Sequence, residues 1–137
     1  MEEIVRASGH ENVSAEHAST FEVTTDDWLT PAGDCILAVE ANRAPADFQP
    51  EFVEACRDRE ATITATFEAD GHVETVEGSG HPDLTFESDR SLVGRTSEYV
   101  DERTVLIGAD SAAGDLDRAL VGALSEGASL ELRLAVE

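Results

Sequence analysis

Histidine side chains are the groups in this chain best suited to proton exchange, because imidazole titrates near neutral pH. His10 and His81 each end a Ser-Gly-His tripeptide. A paired site built from the two turns is one interpretation. In the alternative, the turns are structural: the glycine supplies a positive φ angle and the histidine caps backbone groups. His72 follows an Asp-Gly turn and is expected to be merely exposed.

His17 falls on the same face of a predicted strand as most of that strand's apolar residues. A polar group there indicates a cleft or a subunit interface, because unpaired buried polar groups are costly; a hydrogen-bonded core histidine is the alternative. Extended chain would hold His10 and His17 roughly 20 Å apart, too far to share one ion. The chain carries no nucleotide-binding, hydrolase or zinc motif. We predict no metal and no cofactor, although a metal between His10, His81 and nearby acids stays open.

Arg43 is a candidate anion-binding group, because a guanidinium binds a carboxylate or phosphate in a forked geometry. Asn42 and Asp47 flank it at a strand-to-helix junction. Such junctions collect binding groups, and a helix N-terminus offers free amides to an anion. In the alternative interpretation, Asp47 only ties up the loop before the helix.

These residues together predict one concave ligand-binding surface in the first half of the chain. Its members are His10, Asn12, His17, Asn42, Arg43 and Asp47. His10, His17 and Asp47 are the candidates for acid–base catalysis if a reaction takes place. The second half carries Ser111 where the first has Arg43, so we expect the first half to hold the ligand.

The elements that must position these residues form an internal repeat. Residues 3–10 match residues 74–81, with Glu, Val, Ser, Gly and His recurring. Further matches follow in order to the end of the chain, at offsets that shrink from 71 to 67. The matches predict one domain, 1–137, made by tandem duplication, with repeats of about 1–70 and 72–137 and a pseudo-two-fold axis.

Each repeat reads as a βββαβ unit by its hydrophobic periodicity. Gln49 and Pro50 mark one helix start and Asp117 the other. Asp70-Gly71 predicts a hairpin that joins the repeats. The predicted strands are 4–7, 13–24, 35–39 and 62–67, then 73–77, 84–93, 104–107 and 129–136. The expected fold is α+β: a mostly antiparallel sheet covered by two helices.

Acidic residues dominate the charge: 30 acids face 9 basic residues, all of them Arg, for a net charge of −21. The acids are spread along the chain, so they belong to a folded surface and not to an acidic tail. This composition excludes a basic nucleic-acid binder, and the absence of Lys is typical of a halophilic protein.

No apolar run could span a membrane and no signal peptide is recognisable, so a cytoplasmic location is expected. Cys35 and Cys56 are expected to be reduced.

Several motifs resemble the archaeal domain-of-unknown-function 371 family. They are Gly9-His10-x-Asn12-Val13, His17, Thr20-x-Glu22, Gly33-Asp34-Cys35-Ile36 and Ala109-Asp110-x-Ala112-x-x-Asp115-Leu116-Asp117-Arg118. The resemblance spans nearly the whole chain and implies an archaeal, single-domain protein without an assigned activity. Its pattern often has a Lys where this chain has Arg43 and Ser111. If that Lys does chemistry in relatives, this chain must use a guanidinium or none at all.

Three classes of function stay open. The first is a small binding module for a small polar or anionic metabolite or a protein partner, and a homo-oligomer is compatible with it. The second is a small enzyme using His and Asp, which needs both within hydrogen-bond reach at the bottom of a cleft. The third is a structural subunit of an archaeal assembly, which needs an exposed apolar patch.

Overall fold

Eight strands and two short α-helices make up the computed structural model, which describes all 137 residues. The elements are β1 (Glu2–Ser8), β2 (Thr20–Thr24), β3 (Ile36–Ala38), α1 (Pro50–Cys56), β4 (Thr62–Ala69), β5 (His72–Ser79), β6 (Ser91–Arg95), β7 (Thr104–Leu106), α2 (Arg118–Ser125) and β8 (Ser129–Val136). A 3-10 turn precedes each helix, at Pro45–Asp47 and Ala113–Asp115. The predicted α+β class is confirmed. Neither helix is long and apolar enough to cross a membrane.

The strands form two sheets of four strands each. The first sheet has the order β1-β8-β4-β5 and is antiparallel throughout. The second has the order β3-β2-β6-β7, with an antiparallel centre and a parallel pair on each side. Phe21 of β2 meets Phe67 of β4 edge to face, with ring centroids 5.1 Å apart. Each sheet thus covers part of the apolar face of the other.

Strict alternation in the long strands places the core between the sheets. Ile63, Ala65 and Phe67 of β4 are buried, whereas the threonines between them are only half-buried. The leucines of β8 alternate in the same way. Successive side chains of a strand point to opposite faces, so one face of each strand supplies the core.

The strand orders are unchanged when the corresponding elements of the two halves are exchanged. β1 pairs with β8, and β5 pairs with β4, so each half's first strand lies beside the other half's last strand. The two central pairs, β4 with β8 and β2 with β6, lie at the middle of their sheets. This is the arrangement that a duplicated unit predicts; the duplication itself stays a prediction.

The predicted strands 13–24 and 84–93 are wrong in their first halves, because regular pairing begins only at Thr20 and Ser91. Ala15 and Phe86 have positive φ angles of 49° and 53°, which a strand does not tolerate. Residues 13–16 alternate between buried apolar and more exposed polar side chains, so they imitate a strand in the sequence. As a consequence, His17 lies in a loop and not on a strand.

The predicted turn and helix starts are confirmed. Ala69 pairs with His72 across a two-residue turn, in which Asp70 and Gly71 have φ angles of 50° and 81°. Two positive φ angles are the mark of the type I′ hairpin. The carboxylate of Asp117 accepts a 2.8 Å hydrogen bond from the Ala119 amide at the start of α2.

Candidate functional site

The predicted site residues fall into three separate groups. His10 and Asn12 lie at the C-terminus of α2, and His17 lies in the turn that enters β2. Asn42, Arg43 and Asp47 belong to a segment that runs along the outer edge of β1. Arg43 contacts β1 near its start, whereas His10 follows its end. At about 3.3 Å per residue, the strand between them is longer than 10 Å, so the structure does not bring the six residues into one cluster.

The Ser-Gly-His turn of the first half caps a helix. The His10 amide donates a 2.9 Å hydrogen bond to the carbonyl oxygen of Leu124, near the end of α2. A β-carbon at Gly9 would collide with that same carbonyl. The His10 Nδ1 accepts a 3.0 Å hydrogen bond from the Asn12 amide, and the Asn12 side chain donates to the Leu29 carbonyl at 2.7 Å. Both site candidates therefore have backbone partners.

The second Ser-Gly-His turn repeats this arrangement at the other helix. The His81 amide donates to the Cys56 carbonyl at 3.1 Å, and His81 Nδ1 accepts from the Asp83 amide at 2.9 Å. Gly80 approaches the Cys56 carbonyl as closely as Gly9 approaches that of Leu124. Neither glycine has a positive φ angle, so that part of the structural interpretation is wrong. Glycine is required because a helix end packs directly against its α-carbon.

His17 is the acceptor of a tight turn. Its Nδ1 accepts hydrogen bonds from the amides of Ser19 and Thr20, at 3.2 and 3.1 Å. The hydroxyl of Ser88 does the same in the second half, accepting from two amides at 3.2 Å. A polar residue recurs at this place because the turn needs a side-chain acceptor for the backbone amides two and three residues later in the chain.

The guanidinium of Arg43 is already engaged by protein groups. Its Nη2 lies 2.7 Å from Oε1 of Glu3, a residue only 6% exposed, and its Nη1 donates to the Ile4 carbonyl at 2.9 Å. The second oxygen of Glu3 accepts a 2.6 Å hydrogen bond from the Gln49 amide. An anionic ligand would have to displace Glu3 in order to reach the fork of Arg43.

The remaining two candidates also bind the backbone. Asn42 accepts a 2.9 Å hydrogen bond from the Arg6 amide. Asp47 accepts one of the same length from the Ala44 amide, which is the loop-tying contact of the alternative interpretation. Asp110 and Asp115 make the corresponding bonds in the second half.

A cleft of about 490 Å³ lies elsewhere, at the end of the first sheet where β1 and β4 finish and β8 begins. We call it the acidic cleft; its polar lining is Arg6, Ser8, Glu40, Glu68, Asp70, Ser129 and Glu131. The strand register aligns Arg6, Glu131 and Glu68 in one row. Four carboxylates thus face one guanidinium, and Arg6 lies 3.5 Å from Glu131.

No histidine lines the acidic cleft or the smaller cavity of about 260 Å³ beside Met1 and Phe52. No three His, Cys, Asp or Glu residues are grouped so that they could hold a metal ion. Sequence reasoning missed the acidic cleft because its row joins residues more than 120 positions apart. The alternation of β1 and β8 identifies their outward faces but not their pairing.

A second charged group covers the outer part of the second sheet. Asp101 lies 2.9 Å from Arg95 and 3.0 Å from Arg103, and Arg103 reaches Glu22 at 3.8 Å. Burial alone would raise the pKa of Asp101, but hydrogen bonds from Arg103 and Thr104 and the charge of Arg95 lower it to about 2. This network is internally paired and lines neither cavity.

The two cysteines are free, as predicted. The Cys35 thiol donates to Glu22 at 3.6 Å. Burial, together with the negative charge of Glu22, raises the pKa of Cys35 to about 11. Burial raises the pKa of Cys56 to about 12. Both groups are protonated thiols at neutral pH, and a thiol is a poor nucleophile.

Two comparisons with known proteins cover almost the whole chain. The uncharacterized protein MJ0206 of Methanocaldococcus jannaschii is 40% identical over 136 residues, which are 99% of this chain and 100% of that protein. The model of the family described as "Domain of unknown function (DUF371)" matches residues 5–137. The family resemblance expected from the motifs is confirmed, and the relative is archaeal. The chain belongs to the DUF371 family.

Proposed function

We propose that this protein is a small binding module whose acidic cleft takes a small polar ligand with two or more ammonium groups. The observation that carries the proposal is the cleft itself. Its volume of about 490 Å³ lies in the usual range for ligand pockets, about 300 to 1,000 Å³. Four carboxylates and one guanidinium give its lining a formal charge of −3.

The pairing of the lining charges supports a cationic ligand. Arg6 is matched by Glu131 at 3.5 Å, whereas Glu40, Glu68 and Asp70 take part in no ion pair of the structure. Carboxylates near a protein surface attract an ammonium at 4 Å by about 4 kcal/mol before desolvation.

An anionic metabolite, one of the ligand classes that the sequence left open, finds less support. Arg43 is bound by Glu3, and it lines neither cavity. The net charge of −21 also repels anions over the whole surface.

Isothermal titration calorimetry with spermidine tests the proposal, with citrate and sorbitol as anionic and neutral probes. The doubly substituted variant Glu68→Gln/Asp70→Asn removes two lining charges. Glu87→Gln/Asp89→Asn is the matched control, because it makes the same changes in an exposed loop outside the cleft. We expect spermidine alone to bind, and the cleft variant to weaken its Kd at least tenfold while the control stays within twofold. Equal loss in both variants would show that spermidine only screens the overall charge, and would overturn the proposal.

We also propose that the protein works in the cytoplasm of a salt-accumulating archaeon. The 30 acidic residues of this small domain repel one another at low salt, and the chain has no Lys. At about 1 M salt the Debye length falls to about 3 Å and this repulsion is screened. Circular dichroism melts from 0.1 to 3 M KCl should show a rising Tm. Full stability at 0.1 M KCl, with no gain on adding salt, would contradict the halophilic part.

A further inference from the structure

The two outer strands of the first sheet differ in how their free edges are covered. Along β1, Val39 bridges Ser8, Asn42 binds both backbone groups of Arg6, and Arg43 reaches the Ile4 carbonyl. The cover therefore extends over most of that strand.

Cover along β5 stops earlier. Ile107 bridges Ser79, and Asp110 binds the amide and the carbonyl of Glu77. Ser111 stands where the first half has Arg43. The Thr75 carbonyl corresponds to the Ile4 carbonyl that Arg43 binds, and no side chain reaches it. The first half of β5 is left without a neighbour on its outer side, away from β4.

Strand geometry identifies the free groups. Backbone groups of a strand point alternately to its two sides, so Thr75 and Val73 face the same edge as Glu77. No hydrogen bond in the structure occupies that edge at Val73 or Thr75. Val73 is also 60% exposed, one of the few large apolar residues that are. Unpaired strand edges of this kind are templates for another strand.

We propose that this edge, residues 72–75, pairs antiparallel with the same edge of a second copy of the chain. The proposal is independent of the acidic cleft and its ligand. The register follows from the side chains. With Val73 opposite Val73 of the second copy, His72 lies opposite the second copy's Glu74, on both sides of the axis. The neighbouring symmetric register would place Glu74 against Glu74, and like charges directly opposite destabilise a strand pair.

The occupant is a second copy because the edge is complementary to itself. One exposed apolar residue meets its equivalent, and a hydrogen-bonding imidazole meets a carboxylate twice. A four-residue edge buries far less than the roughly 1,000 Å² of a stable interface. The dimer is therefore weak, and salt strengthens it because it screens the repulsion between two chains of charge −21.

Disulfide trapping tests the register. In the proposed pairing the two Val73 α-carbons lie about 5.5 Å apart, within the roughly 4.4 to 6.8 Å that a disulfide spans. The two Thr75 residues are offset by four positions, at least about 13 Å. In 3 M KCl and a glutathione buffer, we expect Val73→Cys to give a disulfide-linked dimer on non-reducing electrophoresis, and Thr75→Cys and the unchanged chain to give no covalent dimer. Equal trapping at both positions, or none at Val73, would overturn the proposal.

Sedimentation velocity in 3 M KCl gives a test without new thiols. Val73→Pro removes an amide that faces the free edge, so the β4–β5 ladder stays intact. Glu2→Pro is the matched control at the corresponding position of β1. The sedimentation coefficient should rise with concentration for the unchanged chain and the control, and stay constant for Val73→Pro. A Val73→Pro variant that associates like the control, or an unchanged chain that stays monomeric up to 1 mM, would refute self-pairing.

Discussion

Because a helix end packs against the glycine of each Ser-Gly-His turn, we expect a β-carbon at that glycine to destabilise the fold. Gly9→Ala adds one β-carbon at a position where the carbonyl oxygen of Leu124 already touches the glycine. Backbone has to move, because the opposing atom belongs to the last turns of α2 and not to a flexible side chain. The movement also weakens the hydrogen bond from the His10 amide to the same carbonyl.

The cost can be estimated from these two effects. Overpacking a tight site costs about 1 to 3 kcal/mol, and loss of one hydrogen bond costs about 1 kcal/mol. We therefore expect Gly9→Ala to lower the free energy of unfolding by about 3 kcal/mol. With about 2.1 cal/mol/K of unfolding entropy per residue, a chain of this length loses about 3.5 °C of Tm for each kcal/mol, or about 10 °C in all.

Chemical and thermal denaturation in 3 M KCl measure this loss. Gly80→Ala should cost as much, since Gly80 meets the Cys56 carbonyl in the same way. Gly122→Ala is the control: nothing lies within 4 Å of an added β-carbon there, and Ala favours a helix over Gly by about 1 kcal/mol. We expect it to raise the Tm. If Gly9→Ala is neutral, the helix-capping role of the turn is wrong.

Two further predictions concern charged pairs. Arg43→Ala should cost about 3 kcal/mol, because it leaves the carboxylate of Glu3 buried without its partner; Glu3→Gln in the same background should restore part of the loss in urea melts, and an unchanged Tm for Arg43→Ala would refute the structural role. Asp101 has a pKa lowered to about 2 from 3.8, so its carboxylate stabilises the fold at neutral pH and loses that effect as the pH falls from about 4 to 2. Asp101→Asn should therefore be less stable than the unchanged chain at pH 7, with the gap closing over that range in melts at a series of pH values; a gap independent of pH would contradict this explanation.

Local signals in the sequence predicted the elements well. The Asp70-Gly71 hairpin, the helix starts and the alternation of β4 and β8 depend on neighbouring residues, and the structure confirms them. The repeat also predicted which elements of the two halves correspond.

The loop before β2 and the arrangement of the candidate site depend on non-local contacts, which the sequence does not show. The alternation of apolar residues before Thr20 suggested a strand, but Arg118 of the other half donates to the carbonyls of Ser14 and Ala15 and fixes a loop there. The candidate site failed to assemble for a related reason. Polar residues such as His17 and Asn42 satisfy backbone groups in tight turns and at a sheet edge, and a sequence does not distinguish this role from ligand binding.

Chemical-shift mapping with spermidine tests the acidic cleft most directly. Amide spectra of the ¹⁵N-labelled protein would be recorded at the lowest KCl concentration that keeps it folded, during a titration with spermidine. We expect the largest shifts in residues 6–8, 40, 68–70 and 129–131, and we expect them to follow one saturation curve. Shifts spread over exposed acids throughout the surface, without saturation, would contradict a ligand site in the cleft.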